Sequence, residues 1–443
     1  MRTLAREIQE QIGRTVELCG WVHRIRNLGG ITFVLLRDRS GLVQLVYEGD
    51  PGLSLESVIR VRGTVATNEK APGGFEVQVG ATPATDATPA TDATGGRDHA
   101  TTEILGPAVA DLPVAINQDL DKVGLEAILD NRIVTLRNPR IRRIFALQSD
   151  LVRYFAEFLR EEDFTEIKSS KLIGTGTEGG TGLFAVDYFG DRVYLAQSPQ
   201  FYKQAMVASG MERVFEIGAA YRAEKHDTPR HLNEYVSLDV EMGFIESESD
   251  LMDLETRLLG YIFDAVRRDH SETLREYGTD LPTSREFGET PRVSHDEARS
   301  IIKERTGKTA FEINPEGERE LCDWAQEFHG VEAVFVYGFP RKKRPFYTYP
   351  EGLKTRSFDL LFRGLEITTG GQRIHRYETL LETLPRFGLT EEGLGDYCSI
   401  FKYGCPPHGG FAIGLERLTQ KILNLQNVKE ASLFPRDRKR VRP

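Results

Sequence analysis

Arg222, Asp359, Glu366 and Arg417 have the side chains that chemistry on a nucleotide triphosphate requires. A guanidinium fork donates paired hydrogen bonds to phosphate and stays charged. The two carboxylates offer the oxygen ligands that magnesium prefers, and because that ion keeps several waters, two or three carboxylates suffice. Activating a carboxylate with ATP would need these parts and a flat surface for adenine. Arg417 closes the run GGFAIGLER, residues 409–417. Its glycines are a weak signal alone, because such runs also mark close helix–strand packing.

The elements that must position these groups lie in a large mixed α/β region beyond a connector at 113–139. Strand-like segments occur at 192–197, 213–224, 235–245 and 358–368. In 235–245, alternation puts Val236, Leu238, Val240, Met242 and Phe244 on one face and Tyr235, Ser237, Asp239 and Glu241 on the other. Arg222 and Glu224 share a face of 213–224. A helix capped by Ser149 would gather Leu151, Val152, Phe155, Phe158 and Leu159, and Leu415, Leu418, Ile422 and Leu425 repeat helical spacing.

Ahead of this region, five short glycine-punctuated strands between residues 16 and 80 predict a small closed barrel. The tract 81–96, ATPATDATPATDATGG, lacks apolar groups to offset its ordering entropy and reads as a flexible insertion. Strand character resumes at Thr101 to Leu105, so the tract interrupts the barrel.

A chain of 443 residues is long enough for two or more domains. No apolar run approaches the roughly 20 residues that span a bilayer, and no signal-like segment opens the chain. Four scattered cysteines fit a reduced cytoplasm. The net charge of -10 argues against a nucleic-acid binder, although local basic faces can hide within it. Two basic runs, Arg341 to Arg344 and Arg436 to Arg442, read most simply as solvated.

The segments in order resemble class II aminoacyl-tRNA synthetases, and most closely the aspartyl enzymes of the short archaeal type. RAEKHDTPRHLNEY (222–235) looks like motif 2, GGFAIGLER like motif 3, and 153–171 stands where motif 1 belongs. TEGGTGLF (177–184), QSPQFYKQ (197–204) and LEITTGGQRIH (365–375) match as well, and the likeness runs from the barrel to the last residues, the tract 81–96 excepted. It implies an α+β chain: an OB-fold anticodon-binding domain at 1–107, a hinge at 108–130, and a catalytic domain at 131–443 whose antiparallel sheet is flanked by helices. It also implies a homodimer, although Ser170 replaces the usual motif 1 proline.

Carried over by position, the resemblance gives Arg222 the α-phosphate and the substrate carboxylate. Glu224 would orient ATP or the tRNA terminus, His231 would meet the outer phosphates, and Leu232 and Tyr235 would form the adenine site. Arg417 would take the γ-phosphate from the far side of the adenine. Asp359, Glu366 and Thr369 would hold Mg2+, with threonine where relatives carry serine. Lys203 and Arg373 would clamp the side chain of L-aspartate, Gln200 and Asp239 its amino group, and Glu178 would lie in a closing loop. Asparaginyl relatives lack the lysine at position 203.

In the barrel, Arg26, Phe33 and Gln44 match residues that grip the central anticodon base of tRNA. Enzymes restricted to tRNA(Asp) tend to have tryptophan after Gly-Trp-Val and a lysine in a later barrel loop. His23 and Pro72 occupy those positions here, as in relaxed enzymes that also charge tRNA(Asn). Three rivals stand beside this reading: an asparaginyl enzyme, a tRNA-independent amide-forming enzyme, and a catalytically dead nucleic-acid binder.

Overall fold

The computed structural model describes residues 2–80, 101–109, 111–117, 122–174, 176, 182–225, 227–309 and 312–442. The insertion 81–96 and Glu178 lie outside them. The chain divides into two compact units, Met1–Val123 and Gly124–Pro443.

The first unit is built on β1 (Thr15–Leu28), β2 (Ile31–Arg37), β3 (Leu42–Glu48), β4 (Val58–Thr67), β5 (Phe75–Val79) and β6 (Thr102–Gly106). Its order is β1-β2-β3-β5-β4-β6, and pairing of β1 with β4 closes the barrel. Strand β6 follows the tract and pairs antiparallel with β4. Alternate residues such as Val16, Leu18, Val34, Leu36, Leu45 and Val61 fill the interior. β1 runs to Leu28 because Gly29 and Gly30 turn it directly into β2. Both have positive φ (57° and 91°), as a two-residue primed turn requires.

The second unit holds an eight-stranded sheet. Its strands are β7 (Thr165–Glu166), β11 (Arg213–Tyr221), β12 (Glu234–Gly243), β13 (Arg292–Ser294), β14 (Ala333–Tyr337), β17 (Ser357–Phe362), β18 (Leu365–Gln372) and β19 (His408–Gly414). Two small sheets comprise β8 (Leu172–Ile173), β9 (Ala185–Tyr188) and β10 (Asp191–Leu195), and β15 (Pro350–Glu351) with β16 (Lys354–Thr355). The large sheet has the order β13-β14-β17-β18-β19-β12-β11-β7 and is antiparallel except at its two ends. Helices Pro139–Glu161, Glu248–Asp269 and Leu415–Ile422 share one core with it, through Phe155, Phe215, Leu258, Phe358 and Leu418.

Three expectations change. The helix expected from Ser149 begins at Pro139: the Asn138 side chain accepts from Arg140 N at 2.9 Å, and proline costs nothing at the first helical position. Segment 358–368 is a hairpin rather than one strand, turning on Arg363 and Gly364 (φ 49° and 72°). Arg363 is held there by Glu332 at 2.8 Å. The C-terminal basic run is only partly solvated: Arg438, Lys439 and Arg442 are exposed. Arg440 is buried and pairs with Glu126 and Asp130, both at 2.7 Å. No helix among the described residues is long and apolar enough to cross a membrane.

Candidate active site

β12 makes the floor of the site, as alternation predicts. Leu238, Val240 and Met242 enter the core, while Tyr235, Ser237 and Asp239 line a cavity of about 420 Å³ on the opposite face. Phe244 departs from this pattern. It follows the strand end with φ 59° and is exposed. Gln200, Lys203, Arg222, Glu224, His231, Leu232, Glu366, Thr369, Arg373 and Arg417 line the same cavity. It thus collects every described candidate of the catalytic unit except Asp359.

Lys203, Asp239 and Arg373 of its lining form a charge cluster with Glu241. Lys203 Nζ is 2.8 Å from Asp239 Oδ1 and 3.4 Å from Glu241 Oε2, and all three side chains are almost wholly buried. Arg373 Nε donates to Glu241 Oε1 at 2.9 Å, and its Nη2 donates to Gly410 O at 3.0 Å. Burial works to raise the Glu241 carboxyl, but Arg373 and Lys203 outweigh it and hold the group below the usual carboxylate range. Glu241 was visible only as one member of a polar strand face. Its function as anchor of two cations depends on β18 and the helix Gln200–Met206 arriving beside it, which no local pattern encodes.

Beneath the cluster, His408 Nδ1 lies 2.9 Å from the Pro406 carbonyl, which can only accept, so the proton is on Nδ1. His408 Nε2 then accepts from Gln204 at 2.8 Å, and Gln204 Oε1 accepts from Tyr397 at 3.1 Å. Burial pushes the His408 imidazole down to about 4, so it stays neutral.

Elsewhere the cavity lining sets Arg222 beside Glu224 and Arg417 beside Glu366. Arg222 and Glu224 stand just past β11, where Asn233 Nδ2 donates to Arg222 O at 2.7 Å and Glu224 O at 3.0 Å. This clasp fixes the ends of the 222–233 loop. Arg417, at the start of its helix, donates to Glu366 O at 3.0 Å, and Thr369 Oγ1 donates to Glu366 Oε1 at 3.2 Å. His231 Nδ1 is 2.6 Å from Thr228 Oγ1.

Asp359 sits on β17 opposite Thr369 of β18 and is 8% exposed. Its Oδ2 is 2.8 Å from Arg344 Nη2, while Oδ1 is buried without a hydrogen-bond partner. Arg344 also lies over Phe339, 3.8 Å from the ring centroid. The run 341–344 is therefore not simply solvated. Arg344 lines the cavity, Arg341 donates to Thr383 Oγ1 at 2.7 Å, and Lys343 pairs with Glu312. Among the described residues no three His, Cys, Asp or Glu side chains cluster as a metal cage. Two carboxylates, one of them with a buried oxygen lacking a hydrogen-bond partner, and a hydroxyl fit a hard cation that retains waters.

In the first unit, Arg26 pairs across strands with Phe33, and Leu35 with Gln44. Phe33 is half-buried and Arg26 exposed, on the face opposite Val34 and Leu36. Gln44 donates to Glu76 at 2.9 Å. Pro72 is exposed in the turn before β5. His23 is no ordinary surface residue. It is 8% exposed, with Nδ1 2.9 Å from Arg37 Nη1.

Residues 124–438 match the tRNA synthetases class II (D, K and N), and residues 16–81 match the OB-fold nucleic acid binding domain. The chain is 48% identical to the aspartate–tRNA(Asp/Asn) ligase of Thermus thermophilus, covering 100% of both chains. It is 46% identical to the ligase of that name from Deinococcus radiodurans, covering 100% of this chain and 99% of the other. Among solved structures it resembles asparaginyl-tRNA synthetase from Pyrococcus horikoshii complexed with asparaginyl-adenylate. There the TM-score is 0.89 at 28% identity, and 100% of each chain is covered.

Proposed function

The chain belongs to the class II tRNA synthetases of the D, K and N group, and on that footing we propose that it activates L-aspartate with ATP and loads it onto tRNA(Asp) and tRNA(Asn). The observation that carries this reading is the buried cluster of Lys203, Asp239, Glu241 and Arg373. Its two cations and two carboxylates balance before any ligand arrives. Aspartate brings one ammonium and two carboxylates. Asp239, with Gln200, takes the ammonium, which leaves Lys203 and Arg373 facing the side-chain carboxylate while Glu241 fixes their direction. Asparagine would set an amide against fixed donors and leave buried charge uncompensated. A neighbour of nearly the same fold is an asparaginyl enzyme, so the scaffold admits either amino acid, and the fully buried Lys203 favours aspartate.

In the first step an oxygen of the aspartate α-carboxylate attacks the α-phosphorus, and the bond to the bridging oxygen breaks to release pyrophosphate. Arg222 meets the α-phosphate and the attacking carboxylate, offsetting the charge that grows between them. Tyr235 and Arg417 hold adenine between them, Leu232 borders it, Glu224 orients it, and His231 and Arg417 meet the outer phosphates. Asp359, Glu366 and Thr369 would hold Mg2+, which supplies charge neutralisation to the phosphates when bound. In the second step the 3′-hydroxyl of the terminal tRNA ribose attacks the adenylate carbonyl and AMP leaves. Positioning and charge stabilisation supply the acceleration, with no covalent enzyme intermediate.

The barrel unit reads the anticodon, with Phe33 stacking on the central base beside Arg26 and Gln44. His23 and Pro72 relax the third position, so that Asp-tRNA(Asn) is also formed. The active enzyme is a cytoplasmic homodimer. Charging of tRNA(Asp) and tRNA(Asn) transcripts with radiolabelled aspartate tests the reading. Comparable charging of both supports it, charging of tRNA(Asp) alone removes the relaxed specificity, and charging by asparagine removes the aspartate pocket.

A further inference from the structure

His23 is the extra residue of a β-bulge. Val22 pairs with Leu36 and Arg24 with Leu35, so His23 has no partner on β2. Bulges re-aim a side chain, and this one turns an imidazole towards a cavity of about 560 Å³ that Ser54, Leu55, Ala115 and Asn117 also line. Arg37 Nη1 approaches His23 Nδ1 at 2.9 Å. A guanidinium has no acceptor, so Nδ1 must accept and the ring proton is on Nε2. The same guanidinium is gripped by Glu56 at 2.9 and 2.7 Å, and both partners are almost fully buried. Glu56 has φ 64°, a left-handed conformation that a non-glycine residue adopts only when its surroundings impose it. Backbone bonds from Glu56 N to Val22 O (2.7 Å) and from Val22 N to Ser57 O (2.9 Å) tie this turn to the bulge.

From these contacts we infer that Arg37 and Glu56 are positioning residues that lock His23 as the Nε2–H tautomer, so that it reads the third anticodon base through an acceptor common to cytosine and uracil. The inference rests on the relaxed specificity proposed above. Both pyrimidines carry the 2-keto oxygen and differ at position 4. A lone donor directed at the shared oxygen accepts either base, because specificity is a difference of affinities and that difference vanishes at a shared group. If the ring could flip its tautomer, an acceptor would face the base and this contact would be lost.

The test uses the full chain with nitrogen-15 histidine. The protein has nine histidines, and the His23 signal is identified by its loss in His23→Gln. Nitrogen shifts should place the proton on Nε2 in the parent. In Glu56→Gln and Arg37→Lys the tautomers should mix, and kcat/KM for aspartate charging should fall about tenfold for tRNA(Asp) and tRNA(Asn) alike. Aspartate-dependent ATP–pyrophosphate exchange should stay within about twofold in both variants. A proton on Nδ1 in the parent overturns the inference, as does unchanged charging in both variants or a loss confined to one tRNA. Should one variant fail to fold, the parent spectrum and the other variant decide. If the parent charges tRNA(Asp) alone, the relaxed reading falls, and the spectrum still decides whether the lock exists.

Discussion

Arg373 Nε reaches Glu241 Oε1 at 2.9 Å, and the Glu241 that receives it has no exposed surface. The same carboxylate lies 3.4 Å from Lys203 Nζ. One buried anion thus orients both cations assigned to the substrate side chain.

Glu241→Gln keeps the shape and removes that anion. Leaving a buried charge without its counter-ion costs about 3–5 kcal/mol. The variant should lose stability of that order in urea denaturation, and its aspartate-dependent exchange should fall by at least about 100-fold. Parent-like activity in a folded variant would show that Glu241 does not set the direction of the clamp.

Much of this site was legible before folding. Alternation along 235–245 separated the core side chains from Tyr235, Ser237 and Asp239 because strand geometry is local. Arg222 and Arg417 stood out because guanidinium forks in runs of recognisable type have few other uses. What stayed hidden is non-local. Arg344 sits in a basic run that sequence statistics assign to solvent, yet β17 brings Asp359 to it at 2.8 Å. His23 was notable by type, while the Arg37–Glu56 pair behind it depends on a bulge and a positive φ that no pattern announces. The Arg363–Gly364 turn was missed because arginine rarely adopts φ of 49°, so 358–368 looked continuous.

Arg344 supplies the positive charge at Asp359 in this structure, and the proposed Mg2+ would supply more at the same carboxylate. Removing the guanidinium in Arg344→Met leaves that buried carboxylate dependent on an added cation. Millimolar Mg2+ should then raise the melting temperature of the variant by about 2–4 °C more than that of the parent, since a ligand stabilises the state it binds. Calorimetry with and without Mg2+ checks this, and equal shifts would place the ion elsewhere.

His408 sets a pH window for stability. Burial lowers its folded value from 6.5 to about 4. Between those values the unfolded chain binds the extra proton and the folded one resists it, so stability falls as pH falls from 6.5 towards 4. The whole shift corresponds to about 3 kcal/mol. Carboxylates titrate in this range too, so the readout is the difference from His408→Gln in urea denaturation across pH 4–7. The parent should lose more stability on acidification than the variant; parallel curves would contradict a buried neutral imidazole.

Lys203 carries the central claim, because its buried ammonium is the group proposed to separate aspartate from asparagine. The direct measurement is ATP–pyrophosphate exchange by the parent and by Lys203→Met, with each amino acid in turn. The parent should exchange with aspartate and prefer it over asparagine by at least about 1,000-fold. The variant should lose aspartate exchange by about 100-fold or more while remaining folded. Exchange with asparagine by the parent, or undiminished aspartate exchange in the variant, would contradict the assignment of this pocket.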